Sequence, residues 1–313
     1  MEKNKEERQI EGLAQELKKE AKKLHADFDN LKSGGFIKER QKDFFTVRLK
    51  VPGGRLSLER MAKIASVASK YSSADYVHLS FRQSVELVHI NIKDFDNLVR
   101  DLKEIGQEVA SCGPRVRVPT ACSGCEYNPN GITDTQGFVV KVDKQFFGTS
   151  TPHKFKISFS GCPIDCARTR EMDLGFQGEV EPDWTESTCT GCRLCAKACQ
   201  EGAIVADSQT GKPIFYPSKC IYCGDCIKVC PTESWRSKKI GHCVRVGGKH
   251  GRHPREAYTL AHLISDAKVI PIIEKTIEWY KANGKSRERI GLTIDRVGLD
   301  KYKEFMRDSW GNK

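Results

Sequence analysis

Twelve of the fourteen cysteines fall into two patterns that suit metal chemistry rather than disulfide chemistry. Cys189-x2-Cys192-x2-Cys195-x3-Cys199 recurs 31 residues later as Cys220-x2-Cys223-x2-Cys226-x3-Cys230, closed by Pro231. Upstream, Cys122-x2-Cys125 and Cys162-x3-Cys166 form a second constellation. A cubane iron–sulfur cluster needs four thiolates, and a tight C-x2-C-x2-C loop supplies only three. The fourth must come from elsewhere, and a duplicated run solves this by exchange. Cys189, Cys192, Cys195 and Cys230 are therefore expected to hold one cluster. Cys220, Cys223, Cys226 and Cys199 are expected to hold the other. Structural zinc favours paired C-x2-C motifs without a swapped fourth ligand, so zinc is the weaker reading. Gln200 follows Cys199 where Pro231 follows Cys230, which changes a turn preference and not a ligand.

The elements that must position these residues can be read from periodicity. Residues 1–34 read as a solvated helix ended by Ser33-Gly34-Gly35. Phe45, Val47, Leu49 and Val51 alternate with polar neighbours, as in a half-buried strand. A helix over 56–71 follows, then strands over 76–81 and 85–90 around Arg82, then a helix over 94–105. This order resembles a split βαβ ferredoxin-like unit. Four pieces are expected: 1–34, a half-domain over 35–115, a cysteine-bearing domain over 116–179 and 239–313, and an inserted two-cluster module over 180–238.

Composition bounds the function. The net charge is +11 and the pI about 9.0, a balance often seen in nucleic-acid binders. The basic residues are spread along the chain and no nucleic-acid motif accompanies them, so nucleic acid is not expected. A polyanionic cofactor and an anionic substrate account for the excess as well. No run approaches the roughly 18 apolar residues of a membrane span. The first residues form a charged amphipathic pattern without a signal core. A reducing cytoplasm is the expected compartment, where thiols stay available for metal. The pairs Gly34-Gly35 and Gly53-Gly54 do not make a dinucleotide fingerprint. Electrons are thus expected from a partner protein.

Thr120-Ala121-Cys122-Ser123-Gly124-Cys125-Glu126-Tyr127 and Phe155-Lys156-Ile157-Ser158-Phe159-Ser160-Gly161-Cys162-Pro163-Ile164-Asp165-Cys166 resemble the sirohaem-cluster signature of sulfite and nitrite reductases. Gly35-Phe36-Ile37-Lys38-Glu39-Arg40 and His78-Leu79-Ser80-Phe81-Arg82-Gln83 add matches in the preceding half-domain. With the inserted module, the pattern is most similar to the C-subunits of anaerobic sulfite reductases and to the dissimilatory type. The resemblance implies an α+β fold of sirohaem reductase half-domains. It implies that Cys122, Cys125, Cys162 and Cys166 bind a third cubane, with Cys166 also the axial thiolate to sirohaem. It assigns Arg82 and Arg117 as anion clamps and Lys154 and Lys156 as proton donors or relays. Arg115 shares a strand face with Arg117 and stands as an alternative. One departure is that the family's first cysteine pair is usually separated by five residues, whereas Ser123 and Gly124 alone separate Cys122 from Cys125. Asn128 lies near the position the longer spacing would fill and is no thiolate.

Gly247-Gly248-Lys249-His250-Gly251-Arg252 lacks the nucleotide P-loop pattern. Its successive amides, around Gly248, with Lys249 and Arg252, suit either sirohaem carboxylates or a solvated turn. Cys112 and Cys243 are left as buried free thiols. The expected function is sirohaem-dependent reduction of sulfite to sulfide, with electrons arriving through two ferredoxin-type clusters. Nitrite reduction to ammonia by the same centre, or haem-free electron transfer, are the alternatives. A single half-domain copy implies a homo-oligomer or a heteromeric complex.

Overall fold

The structure, a computed structural model, describes residues 31–310. Most of the expected N-terminal helix, residues 1–30, lies outside the described residues. The chain divides into two compact units: 1–51 with 55–114, and 52–54 with 115–313.

The first unit is a four-stranded antiparallel sheet in the order β1-β2-β4-β3. Its elements are β1 (Phe36–Lys38), β2 (Phe44–Arg48), α1 (Leu58–Tyr71), β3 (His78–Leu79), β4 (Val85–Asn91) and α2 (Phe95–Glu104). Phe45 and Val47 from β2 and Leu87 and Ile90 from β4 bury one sheet face against Ile64, Val67, Leu98 and Leu102 of the helices. Alternation in the strands and helical spacing in α1 and α2 thus meet in one core. Ser57 caps α1 by accepting the Arg60 N–H, 3.1 Å. The expected strand–helix–strand–strand–helix order is present. The first of the two strands around Arg82 shortens to His78–Leu79, because residues 80–83 turn tightly, with Gln83 at φ 59°.

The second unit is a five-stranded mixed sheet in the order β11-β10-β7-β6-β5. It comprises β5 (Thr120–Ala121), α3 (Thr135–Phe146), β6 (Ile157–Ser160) and β7 (Leu174–Trp184). Then come α4 (Leu194–Ala198), β8 (Ile204–Ala206), β9 (Pro213–Phe215), α5 (Asp225–Lys228), β10 (Trp235–Val246) and β11 (Tyr258–Ile264). The helices α6 (Asp266–Asn283), α7 (Ile290–Val297) and α8 (Leu299–Trp310) complete it. β5, β6 and β7 run parallel, while β7, β10 and β11 are antiparallel. One sheet face is apolar: Phe138 of α3 stacks on Phe159, which stacks on Phe176, at centroid distances of 5.6 and 5.1 Å. The alternate positions Ser158, Ser160, Gln177, Glu179 and Arg245 are buried and polar. A strand pair with one apolar and one buried polar face reserves that second face for something other than core.

Residues 185–234 leave the sheet at Trp184 and return at Trp235, which are register partners. The two strands therefore carry the intervening segment at their shared end, and their pairing continues below it through one register shift between Ser237 and Lys239. The expected module boundaries, 180 and 238, fall inside these strands. Between them, β8 and β9 pair as a small hairpin. Ile204, Trp235, Cys195 and Cys226 form a separate core there, with Phe215 and Trp184 packed against it. Among the described residues, no helix is long and apolar enough to cross a membrane.

Candidate functional site

The duplicated run is repeated in three dimensions. A short 3-10 turn (Glu186–Thr188) precedes Cys189, and its counterpart (Pro217–Lys219) precedes Cys220. The Cys189 and Cys220 amides close these turns onto Glu186 and Pro217 carbonyls at 3.0 and 3.1 Å. Left-handed residues Arg193 and Gly224 then open α4 and α5, which bury Cys195 and Cys226. Cys199 lies within charge range of Cys220. Burial, then the neighbouring Cys223 and Cys220 thiols, pushes the Cys226 thiol up to about 12. Burial likewise raises Cys223 to about 11. Thiols crowded in this way hold their protons until a cation replaces them. All fourteen cysteines are free thiols, so no disulfide competes.

The upstream cysteines are assembled differently. β5 and β6 are adjacent parallel strands, and their C-terminal ends deliver Cys122 and Cys162; the Cys122 amide donates to the Phe159 carbonyl at 3.1 Å. Cys122 Sγ accepts N–H bonds from Gly161 at 3.1 Å and Gly124 at 3.4 Å. Cys162 is buried within charge range of both Cys122 and Cys166, and its thiol is raised by burial first. Cys125 and Cys166 are exposed.

The shortened Cys122-x2-Cys125 loop adopts the turn of a ferredoxin-type loop. Gly124 has φ +60°, matching Tyr222 at +60° and Gly191 at +71° in the first C-x2-C loop of each run. The Gly124 N–H bond to Cys122 Sγ is mirrored by Tyr222 N–H to Cys220 Sγ at 3.4 Å. The loop is held down at close quarters. A Cβ on Gly161 would sit 2.7 Å from the Gly124 Cα, and one on Gly124 would sit 2.7 Å from the Thr133 carbonyl. Asp165, inside the C-x3-C, accepts from Ser160 Oγ at 2.7 Å and the Thr169 amide at 2.8 Å. Four thiols at hydrogen-bonded, fixed loops are a donor set that fits a cubane.

The same two chain segments carry the basic residues upstream. Val116 and Phe155 bridge in parallel and are both buried. Arg115, Arg117, Lys154 and Lys156 alternate with them and lie half-buried on the opposite face. The Arg117 amide donates to the Phe155 carbonyl at 2.8 Å, which fixes the two segments in register. Four residues of extended chain, the last two in β5, lie between Arg117 and Cys122, a span on the order of 16 Å. Arg82 belongs to the other unit, half-buried in the turn between β3 and β4.

Sequence reasoning missed what fixes this face. Asp173 is fully buried and takes both prongs of the Arg289 guanidinium at 2.7 Å. Its Oδ2 also accepts the Lys156 amide at 2.9 Å. Burial pushes the Asp173 carboxyl up, against the Arg289 charge and the Lys156 N–H, and the forked geometry is that of a carboxylate. His153 is pushed down to about 4 by burial, then by Lys154, Arg289, Arg117 and Arg287. It is neutral at pH 7. Lys154, Arg117 and Arg287 thus lie within charge range of His153, beside the Arg289–Asp173 pair.

In the glycine loop, two of the amides are engaged within the fold. Gly247 N–H donates to the Asp173 carbonyl at 2.9 Å and Lys249 N–H to the Arg255 carbonyl at 3.1 Å, so those amides are taken. Gly248 is there for close packing: a Cβ would lie 2.4 Å from the Arg170 carbonyl. The Lys249 side chain is half-buried and Arg252 is exposed. Cys112 and Cys243 are buried thiols, as expected.

The two cysteine regions face each other. A cavity of about 360 Å³ is lined by Asn130, Cys162 and Ile164 on one side and Cys199, Ile221 and Cys223 on the other. Lys228 Nζ spans the joint, donating to Asn130 Oδ1 at 2.9 Å.

Residues 112–313 match the nitrite and sulphite reductase 4Fe-4S domain, and 37–105 match the nitrite/sulfite reductase ferredoxin-like half domain. A coenzyme F420-dependent sulfite reductase of Methanocaldococcus jannaschii is 34% identical over 267 residues, covering 85% of this chain and 42% of that protein. The chain thus spans less than half the length of that relative. The anaerobic sulfite reductase C-subunit of Salmonella typhimurium is 29% identical, with 82% of each chain covered. The crystal structure of a dissimilatory sulfite reductase I superposes with a TM-score of 0.70 at 20% identity, over 86% of this chain and 69% of that one. Both domain matches fall on the two units in chain order, and the chain belongs to the nitrite and sulphite reductase family.

Proposed function

We propose that the chain reduces sulfite to sulfide, using sirohaem and three [4Fe-4S] clusters. The observation that carries this reading is the strand pair that bears Arg117, Lys154 and Lys156 on one face and ends at Cys122 and Cys162. Relatives named as sulfite reductases support it. Cys122, Cys125, Cys162 and Cys166 would hold one cluster, and Cys166 would also hold sirohaem. The two runs would hold the other clusters with Cys199 and Cys230 exchanged. When bound, these groups would supply the six-electron reduction, one electron at a time.

The chain's own residues supply the rest. Arg117 binds the anion with a charge it cannot lose, and Arg82 is assigned the same role by its place in the family motif. Lys154 and Lys156 hold the protons that leave with sulfite oxygens as water. His153 stays neutral at working pH and does not share that task. Asp173 fixes the backbone at Lys156. The cavity between Cys162 and Cys199/Cys223 supports reading the set around Cys220 as the exit of the module. The set around Cys189 is then the entry, where exposed Cys192 meets an electron-donor protein. We place the protein in the cytoplasm, as a homo-oligomer or in a heteromeric complex.

Lys154→Ala and Lys156→Ala test the assignment. Each should keep its iron and its pigment while sulfite turnover with a reduced dye falls by about 10²–10⁴. Unchanged turnover in both would remove the lysines from the mechanism.

A further inference from the structure

On the buried polar face of the second unit, three side chains from three neighbouring strands converge, none of them among the twelve cluster cysteines. They are Glu179 of β7, Cys243 of β10 and His262 of β11, whose donor atoms all lie within 4.8 Å of one another. Glu179 is 1% and Cys243 0% exposed, while the His262 side chain is 51% exposed. Two donors are therefore fixed in the interior and the third opens to solvent.

The backbone is irregular at this place. The β10–β11 register shifts between His242 and Val244, so Cys243 sits at a bulge. Leu263, beside His262, has φ +55°, a costly conformation for a leucine. Gly241 lets the strands approach: a Cβ there would lie 2.6 Å from the Leu263 carbonyl carbon. Bulges of this kind re-aim side chains. Here the distortion brings His262 Nδ1 to 2.8 Å from Glu179 Oε1, while the Leu263 amide holds Glu179 Oε2 at 3.1 Å.

We infer that Glu179, Cys243 and His262 form a binding site for a borderline divalent cation of the zinc type, with ligands distinct from those of the clusters. A thiolate, an imidazole and a carboxylate are the donor types zinc accepts, and three protein ligands with one open position is an established arrangement for it. The exposed edge of His262 provides the way in and the position for a water. Binding replaces the Cys243 thiol proton, which is released to solvent, and no electron changes hands. The site lies behind the module: Val180 N–H donates to the Tyr222 carbonyl at 2.9 Å, and the His262 and Tyr222 rings are 5.7 Å apart. The metal would tie β11 to the strand that supports the Cys220–Cys223 loop.

The test uses the full chain purified anaerobically with its iron intact, titrated with zinc against a chromophoric chelator. One zinc per chain is expected beyond the iron, and X-ray absorption at the zinc edge should show mixed sulfur and nitrogen/oxygen ligands at about 2.3 and 2.0 Å. His262→Ala, at a half-exposed position, and Cys243→Ala should each weaken zinc binding at least about tenfold with iron content unchanged. Zinc retained equally by both variants, an all-sulfur shell that marks displaced cluster cysteines, or no binding by the parent chain would each overturn the site. Iron content separates misfolding from ligand loss, and His262→Ala stands if Cys243→Ala does not fold.

Discussion

The two cysteine regions of the second unit solve the same ligand problem by opposite means. In residues 185–234 the cysteines are presented locally: each run brings its own turn, left-handed residue and short helix, and the copy 31 residues on brings the same set. At Cys122 and Cys162 the ligands are composite, delivered by adjacent parallel strands and locked by Gly124, Gly161 and Asp165. A local site can be moved between folds as a cassette. A composite site depends on the whole sheet, and so does the charged face that shares its strands.

Ligand exchange is where the contrast breaks most sharply. Cys230→Ser should abolish the cluster of the Cys189 run, and Cys199→Ser that of the Cys220 run, while the cluster at Cys122 keeps its EPR signal. A Cys230→Ser chain with the Cys189 cluster intact would show that each run is self-sufficient.

The composite site should instead fail through residues that touch no cluster. Asp173→Ala leaves Arg289 buried without its partner and should cost about 3–5 kcal/mol of stability, read as a shifted denaturation midpoint. The Lys156 segment loses its anchor in the same variant. A loss below about 1 kcal/mol would mean that water replaces the carboxylate.

Much of the local architecture was legible because it is written in short periods. Alternation gave β2 and β4, helical spacing gave α1 and α2, and the duplicated run gave its own three-dimensional repeat. What escaped is separated in sequence or silent in spacing. Asp173 and Arg289 are 116 residues apart, and neither has a local pattern. Gly248 reads as part of an anion-binding loop, while its close packing against the Arg170 carbonyl carries no signal in the spacing. Glu179, Cys243 and His262 meet through a bulge that no periodicity announces.

A smaller effect sharpens the reading of the short loop. Gly124→Ala combines left-handed strain of about 1–2 kcal/mol with a clash against the Thr133 carbonyl. Gly202→Ala, at φ +61° in the module with open space around its Cβ, should show the strain alone. Equal stability losses in the two variants would mean that the Cys122 loop relaxes freely and is not held in its turn.

The central claim is that the composite cysteines hold a cluster joined to sirohaem through Cys166. The direct measurement is an acid–acetone extract and visible spectrum of the full chain, purified anaerobically from a host that makes sirohaem, beside its Cys166→Ser variant. The account predicts an iron-bearing tetrapyrrole of the sirohaem class in stoichiometric amount, lost in Cys166→Ser while the two module clusters remain. A parent chain with all its clusters and no tetrapyrrole would contradict it, and would make the protein a carrier of electrons alone.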